Sequence, residues 1–560
     1  MAGIKDKCPV CGKVAARSGV LNFKTPAGEA LQIIKYECGH SVSRKGFKTK
    51  AELLDEWQSI DGRAPRPFQK EGILRIEASN GNHGLFDQMG LGKTIQSYGF
   101  VWLHKEEVMP VLIVCKSGLK TQLTHEWYRW VGPQYLVQTI ESTIEKCWPG
   151  FNAYVISFDI LNHFKKKYTP KNAVAGDGHE SKWREHLFGD MKFRCIIIDE
   201  VQKIKNSDSS RTQLVREIVR FHADEPRRVI ALSGTPWENN FGEAFNVMNL
   251  LEPDEFTQET AFINEWCDTY VSQSGALKVG GLNPYKKDEW DAKTKHLITR
   301  RLRSEVGEQL PPINRMWHYI DIDDTHKRAY AEGMLELLDY VEEHEDDKSF
   351  ETYSNILAML SRLRHIAGLS KVKPCVEWVE DFLLSTDEKL VIFTHHLDVA
   401  QAIIAQLDKT LKMGGWKPPI HFKAGADMFD LTQQFREPGN RIAIASTLAA
   451  GEGLNLQFCS NAILLERQWN PPKEEQAESR FTRIGSTASQ VNITGMLAIS
   501  TVDDYFTEIV ERKRAILKRS HGEPCEDLEE QKLISELLLV LQAKGKSMWT
   551  LWAGQKGKKS

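Results

Sequence analysis

Short, unbroken apolar runs bounded by turn residues recur along this chain. Val111–Leu112–Ile113–Val114, Ala153–Tyr154–Val155–Ile156, Cys195–Ile196–Ile197–Ile198 and Val229–Ile230–Ala231–Leu232 come first. Leu390–Val391–Ile392–Phe393, Ile442–Ala443–Ile444–Ala445 and Ala462–Ile463–Leu464–Leu465 follow. A strand with one wet face alternates apolar and polar residues. An unbroken run this short therefore suits a strand buried on both faces, as in a parallel sheet. Helical patterns fill the stretches between the runs, and strands alternating with helices build doubly wound α/β domains. A chain of 560 residues exceeds what a single core organises. The expected fold class is α/β, with two tandem parallel-sheet lobes at 60–315 and 316–518. A small cysteine-bearing unit at 1–48 precedes them, and a helical, basic tail at 519–560 follows.

No apolar run approaches the roughly 18–20 residues needed to cross a bilayer. Met1 to Lys13 is polar and carries two cysteines, which is not a secretion signal. A soluble chain outside the secretory route is expected, with no membrane partner. The net charge of −3 leaves a nucleic-acid binder only a local basic groove to work with. Ten cysteines in so long a chain do not make a disulfide framework, and Cys115 and Cys195 read as buried core thiols. Glu342, Glu343, Glu345, Asp346 and Asp347 read as a solvated acidic stretch. Residues 170–182 and 272–284 read as long surface loops.

The chemistry begins at Asp87–Gln88–Met89–Gly90–Leu91–Gly92–Lys93–Thr94, between an apolar run and a helical pattern. Glycines at a helix N-terminus let backbone N–H groups approach phosphates, and the helix dipole favours their charge. Lys93 is expected on the β- and γ-phosphates of ATP and Thr94 on Mg²⁺. Asp87 stands where the usual pattern has its first glycine. Ile196–Ile197–Ile198–Asp199–Glu200 supplies the second half, an apolar strand ending in two carboxylates. Asp199 is expected to hold Mg²⁺, and Glu200 to orient and deprotonate the attacking water.

In this order the motifs resemble the Swi/Snf class of superfamily-two helicase-like ATPases. Arg66–Pro67–Phe68–Gln69 is similar to the family's adenine-reading motif. The Asp87–Thr94 loop fits as well, with Gln88 where Glu is commoner. Asp199–Glu200–Val201–Gln202 resembles its Walker B motif, Gln202 replacing the commoner His. Leu232–Ser233–Gly234–Thr235–Pro236–Trp237–Glu238–Asn239 is similar to the coupling motif. Thr299–Arg300–Arg301 with Leu310–Pro311–Pro312 resembles the end of the first lobe's extension. Gly451–Glu452–Gly453–Leu454–Asn455–Leu456 is similar to the fifth motif. Glu466, Trp469, Asn470 and Pro471 follow, and Gln476–Ala477–Glu478–Ser479–Arg480–Phe481–Thr482–Arg483–Ile484–Gly485 resembles the sixth.

The resemblance implies two RecA-like lobes with ATP between them, Gly453 and Gln476 at the nucleotide, and Arg480 and Arg483 as arginine fingers. It also implies tracking along double-stranded DNA through sequence-independent backbone contacts. Lys116, Ser117, Thr394, His395 and Thr447 are candidate contacts. Three functions stay open: a duplex translocase, a strand-separating or fork-remodelling helicase, and an inactive DNA-binding scaffold. Leu363–Arg364–His365–Ile366–Ala367–Gly368, with Lys371, is faintly similar to fork-remodelling, strand-annealing members. The compact length favours a prokaryotic or viral origin and a cytoplasmic location, or a nuclear one if eukaryotic.

The ends carry two more expectations. Cys8, Cys11, Cys38 and His40 have the two-knuckle spacing of a structural Zn²⁺ ribbon. Trp549 and Trp552 lie among lysines in a stretch without acidic residues, expected as a disordered solubilising tail with its tryptophans docked on the body, a nucleic-acid arm being the alternative. Ribbon or tail could also engage a protein partner.

Overall fold

A computed structural model of the chain describes residues 5–7, 10–11, 13–24, 30–45, 48–168, 182–237, 240–271, 277–303, 305–306, 310–344, 347, 349–423, 426–447, 454–468, 471–483, 486, 488–519, 537–539, 541 and 549. Its strands, in chain order, are β1 (Lys5–Lys7), β2 (Val14–Lys24), β3 (Ala30–Tyr36), β4 (Ser41–Lys45), β5 (His83–Leu85), β6 (Val111–Cys115), β7 (Val137–Thr139), β8 (Ala153–Ser157), β9 (Cys195–Asp199) and β10 (Val229–Leu232). They continue as β11 (Cys267–Val271), β12 (Leu277–Leu282), β13 (Ile298–Thr299), β14 (Ile313–Ile320), β15 (Leu390–Thr394), β16 (Ile420–Phe422), β17 (Ile442–Ser446), β18 (Asn461–Leu464) and β19 (Val491–Ala498).

The apolar runs all become strands of two parallel sheets. One has seven strands in the order β13-β5-β10-β9-β6-β8-β7, the other six in the order β14-β19-β18-β15-β17-β16. Both are covered on both faces, which explains why the runs do not alternate. In β6, Leu112 and Val114 enter one core with Phe86, Trp183 and Ile198, while Val111, Ile113 and Cys115 enter another with Tyr98 and Trp127. β15 divides likewise, Leu390 and Ile392 against Val391 and Phe393. Cys115 and Cys195 are fully buried core thiols, and burial pushes Cys195 up to about 12.

Two features differ from the sequence reading and one bears it out. Residues 277–282, placed in a loop, form β12, which pairs antiparallel with β11; its adjacent Gly280 and Gly281 disguise a strand. β14 starts at Ile313, ahead of the boundary expected at 316, and pairs with β19 in the second sheet. Trp549 is buried with Leu537 and Leu541 against helices Asp324–Glu343 and Phe350–Ser370, its ring 5.8 Å from Tyr330. The docking expected of the tail tryptophans thus holds for Trp549, while Trp552 and the tail lysines lie outside the described residues. No helix among the described residues is long and apolar enough to cross a membrane.

The helix Phe350–Ser370 carries a clasp for the second sheet. Arg364 donates to the Arg467 carbonyl, and Lys371, just past the helix, is 1% exposed. Lys371 pairs with Asp503 and donates to the carbonyls of Leu465 and, at 3.1 Å, Met496. Removing one partner of a buried pair strands the other. Lys371→Ala should therefore lose about 3 kcal/mol or more of stability, measured as a lower denaturation midpoint; an unchanged midpoint would deny the clasp a structural role.

Candidate active site

The phosphate loop leaves the end of β5, a strand flanked by β13 and β10. It enters the helix Lys93–Leu103 through Gly90 (φ 87°) and Gly92 (φ 74°), left-handed positions that favour glycine. Lys93 Nζ donates to the Asp87 carbonyl at 2.7 Å, so the lysine folds back over its own loop. Burial lowers its pKa, while Asp87, Glu200 and Asp199 pull the other way.

Asp87 does not face the nucleotide space as expected of a binding residue. Its carboxylate is fully buried and accepts from Arg301 Nε at 3.0 Å, Arg301 Nη2 at 2.7 Å and Gln96 Nε2 at 2.9 Å. A carboxylate turned to the phosphates would repel them; turned inward onto Arg301 it anchors the loop. Arg301 is held in register by ladder-like bonds: Gly84, Phe86 and Gln88 N–H donate to the carbonyls of Leu297, Thr299 and Arg301 at 2.7, 2.7 and 2.9 Å. Gln88 uses its side chain to accept from Arg303 N at 2.9 Å. Gln69 also braces the loop, donating to the Leu91 carbonyl at 3.1 Å, and Phe68 packs its ring 5.4 Å from the Arg301 guanidinium.

Asp199 ends β9, and Glu200 follows in a left-handed conformation (φ 56°). For a non-glycine residue this costs on the order of 1–3 kcal/mol, a strain typical of functional positions. Burial, then the neighbouring Glu200, raises the pKa of Asp199. Burial pushes Glu200 up too, but Lys116, Gln202, Arg480 and Lys93 outweigh it and hold its carboxylate ionised. Gln202 donates to Glu200 and accepts from Ser233 Oγ at 2.7 Å, linking the carboxylate to the Ser233–Gly234–Thr235 turn after β10.

Groups from both sheets line one cavity of about 580 Å³. Gln69, Met89, Gly90, Gly92, Lys93, Thr94, Asp199 and Glu200 form one wall, and Gln476, Ser479, Arg480 and Arg483 the other. Gln476 Nε2 reaches Glu200 Oε1 at 3.3 Å. Farther out, His125 stacks on Phe429 at 4.1 Å and Thr121 Oγ1 donates to Asp427 at 3.1 Å. Burial lowers the pKa of Arg480, against the pull of Glu200 and Asp199. Burial, with Arg480 beside it, pushes Arg483 down to about 9. Arg483 makes no side-chain hydrogen bond or ion pair among the described residues, as a guanidinium awaiting an anion would. Gly453 lies outside the described residues.

The DNA-contact expectations fare unevenly. Thr394 and Thr447 are each 2% exposed, and Thr447 Oγ1 bonds the Thr394 carbonyl, so both cap strand ends instead of facing solvent. His395 is tied to Gln468 at 3.1 Å and Ser117 to Asp159 at 2.9 Å. Lys116 lies 3.9 Å from Glu200. In the N-terminal sheet β1-β2-β3-β4, Cys11 Sγ lies 3.7 Å from Cys38 Sγ, and Cys38 Sγ lies 3.5 Å from His40 Nδ1. Cys8 lies outside the described residues. Arg303, which no motif reading assigned, meets both walls from behind the phosphate loop; its signal is the Arg-x-Arg alternation after β13.

A phosphate loop and a two-carboxylate strand end in one lobe, facing arginines in another, define a two-lobed nucleotide site. Residues 68–369 match the SNF2-related domain family and residues 374–485 the helicase conserved C-terminal domain family. The chain belongs to the SNF2-related family of helicase-like ATPases. It is 26% identical over 469 residues to the human DNA annealing helicase and endonuclease ZRANB3, covering 80% of this chain and 40% of that protein. It is 27% identical over 467 residues to the Xenopus laevis SWI/SNF-related matrix-associated actin-dependent regulator of chromatin subfamily A-like protein 1, covering 80% and 43%. The chain thus spans less than half the length of these relatives. Among solved structures it is similar to the Sulfolobus solfataricus SWI2/SNF2 ATPase core in complex with dsDNA (TM-score 0.36, 20% identity, 82% of this chain and 92% of that one). It is also similar to the Pyrococcus furiosus Hef helicase domain (TM-score 0.47, 13% identity, 79% and 97%).

The Arg301–Asp87 pair makes a sharp prediction. Arg301→Met should strand a buried carboxylate at the loop, costing about 3–5 kcal/mol and most of the ATP affinity. Denaturant unfolding with nucleotide titration would check it, and full affinity in the variant would mean the loop does not need this anchor.

Proposed function

We propose that this chain is an ATP-driven translocase on double-stranded DNA, remodelling DNA or stripping proteins from it. The observation that carries the reading is the cross-lobe cavity, where Gln476 reaches Glu200 and Arg480 and Arg483 face the phosphate loop. Residues 60–312 and 313–518 act as the moving lobes, with 1–48 and 519–560 as accessories.

Lys93 and the amides of Gly90, Gly92, Lys93 and Thr94 hold the ATP phosphates, with Gln69 on the side where the base would lie. Thr94 and Asp199 hold Mg²⁺, which when bound neutralises phosphate charge. Glu200 orients the attacking water and accepts its proton. Arg480 and Arg483 stabilise the charge that develops on the transferred group. Because the fingers and the loop sit on different lobes, hydrolysis loosens the closure, and repeated closure moves the chain along the duplex.

A second reading, fork remodelling with strand annealing, is supported by the name of the ZRANB3 relatives and by the Leu363–Lys371 stretch. The scaffold reading is disfavoured because Lys93, Asp199, Glu200, Arg480 and Arg483 share one cavity.

The deciding experiment is ATP turnover at fixed salt with no nucleic acid, single-stranded DNA, duplex DNA and RNA. Strong stimulation by duplex supports the translocase, and displacement of a triplex-forming strand would then test movement. Stimulation by single strands alone favours a strand-separating helicase, and none at all favours the scaffold. Lys93→Ala should abolish turnover with the fold intact. Arg483→Ala should keep nucleotide binding while kcat falls on the order of 10³-fold; an unchanged kcat would remove Arg483 from the site.

We further propose that Cys8, Cys11, Cys38 and His40 hold a structural Zn²⁺. Tetrahedral ligands with metal–sulfur bonds of about 2.3 Å place two sulfurs about 3.7–3.8 Å apart, and Cys11 and Cys38 stand at 3.7 Å. The ligand atoms of Cys11, Cys38 and His40 all lie within 4.8 Å of one another. Metal analysis should find about one zinc per chain and less in Cys38→Ser; metal-free protein that stays folded would refute the site.

A further inference from the structure

Arg303 is a half-buried charge to which the nucleotide reading gives no work. Its Nε and Nη2 both donate to the Met89 carbonyl, Nε at 2.8 Å, and its Nη1 donates to Thr482 Oγ1 at 2.7 Å. Met89 belongs to the phosphate loop. Thr482 is 1% exposed and stands between Arg480 and Arg483 on the second lobe. No carboxylate lies within ion-pair distance of Arg303 among the described residues; Glu475 and Glu478 act on it only from afar. Burial pulls its pKa down to about 10. A guanidinium held on neutral acceptors alone is costly to bury, and an apolar residue would fill the space more cheaply. The contact also has no slack. A Cβ at Gly90 would stand 2.9 Å from Arg303 Nη2 and 3.2 Å from the Thr482 carbonyl.

We propose that Arg303 is a positioning residue for hydrolysis, a clasp that ties the Met89 carbonyl of the phosphate loop to the Thr482 hydroxyl of the finger segment. The inference rests on the ATPase reading above. Met89, Gly90, Arg480 and Arg483 line the cavity, whereas Arg303 acts behind them. A shift of the loop when phosphates enter is conveyed through one planar fork to the segment carrying both fingers. The fork is rigid, so it transmits displacement where a flexible ammonium would absorb it.

The test uses the full chain with Thr482→Val, Thr482→Ser, Arg303→Gln and the double variant Arg303→Gln/Thr482→Val. Thr482→Val keeps the shape and removes the acceptor; Thr482→Ser restores it. Fluorescent-nucleotide affinity, kcat with saturating duplex and the thermal midpoint are read together. The expected result is ATP affinity within about threefold of wild type and kcat down about ten- to a hundredfold in Thr482→Val and Arg303→Gln. Thr482→Ser should be near normal, and the double variant no worse than Arg303→Gln, the non-additivity of a shared contact. Should Arg303→Gln fail to fold, the Thr482 pair decides alone. Full kcat in Thr482→Val, equal losses in Thr482→Ser, or additive losses would overturn the clasp.

A second readout does not depend on turnover. Labels at Asp288 and Lys412 report the distance between lobes with and without a non-hydrolysable ATP analogue. Closure in wild type that is lost in Thr482→Val supports the clasp. Closure retained in Thr482→Val, or absent in wild type, overturns it. A wild-type chain that closes but never hydrolyses ATP sinks the proposed function and with it the role of Arg303 in hydrolysis, whereas hydrolysis with unchanged kcat in Thr482→Val sinks the clasp alone.

Discussion

The site depends first on the buried ion pair between Arg301 and Asp87. A phosphate loop works through its backbone N–H groups, so something must hold that backbone open without occupying the space in front of it. Here a strand edge does so from behind. β13 pairs with β5, the ladder of bonds continues to Gln88, and the two-pronged guanidinium of Arg301 takes both oxygens of Asp87. Gln96, on the helix that the loop enters, completes the cluster by bonding both partners. Loop, helix and strand edge are therefore one unit, and the loop's charge is neutralised within the protein. An anion arriving at the loop meets Lys93 and backbone N–H groups, with the Asp87 carboxylate turned away from it.

The second lobe solves the matching problem of aiming its groups at that loop. The helix Pro471–Glu478 carries Gln476 and runs into the arginine segment. Its orientation is fixed by a buried ionic lattice. Glu474, fully buried, accepts from Arg467 at 2.7 Å and Arg514 at 3.0 Å, and Glu478 pairs with Arg315 on β14. Such a lattice adds little net stability over apolar packing, but its charges satisfy one another in only one arrangement. It thereby specifies the direction in which Gln476, Arg480 and Arg483 point. The carbonyl contacts of Arg364 and Lys371 hold the preceding strand ends against the same helical layer.

The sequence disclosed the sheets because parallel strands buried on both faces leave runs that turns cannot imitate. All seven runs match strands to within a residue, and the order of motifs disclosed which strand ends face each other. The short strands β5, β7, β13 and β16 were not legible, since two or three residues carry no period. β12 was hidden by its glycines. Within the site, residue types were legible but contacts were not. Asp87 was legible as part of the loop, yet only the arrival of Arg301, distant in sequence, decides that its carboxylate faces inward. Thr394 and Thr447 were legible as polar residues at strand ends, but burial takes them away from any nucleic-acid contact. Arg303 belonged to no motif because its meaning lies in two partners on different lobes.

Gln202 brings these levels together. The family's commoner histidine could link Glu200 to Ser233 only as one neutral tautomer, with the N–H toward the carboxylate. A carboxylate neighbour favours the imidazolium, which has no acceptor left for the serine hydroxyl. An amide carries its donor and its acceptor permanently. In this chain Gln202 uses the donor on Glu200 and the acceptor for Ser233 Oγ, whose oxygen in turn accepts from Thr235 N at 3.0 Å. The connection from the Glu200 carboxylate to the turn after β10 therefore runs through an amide and a hydroxyl, which do not titrate near neutrality. With glutamine in place of the histidine, this link is made without an imidazole.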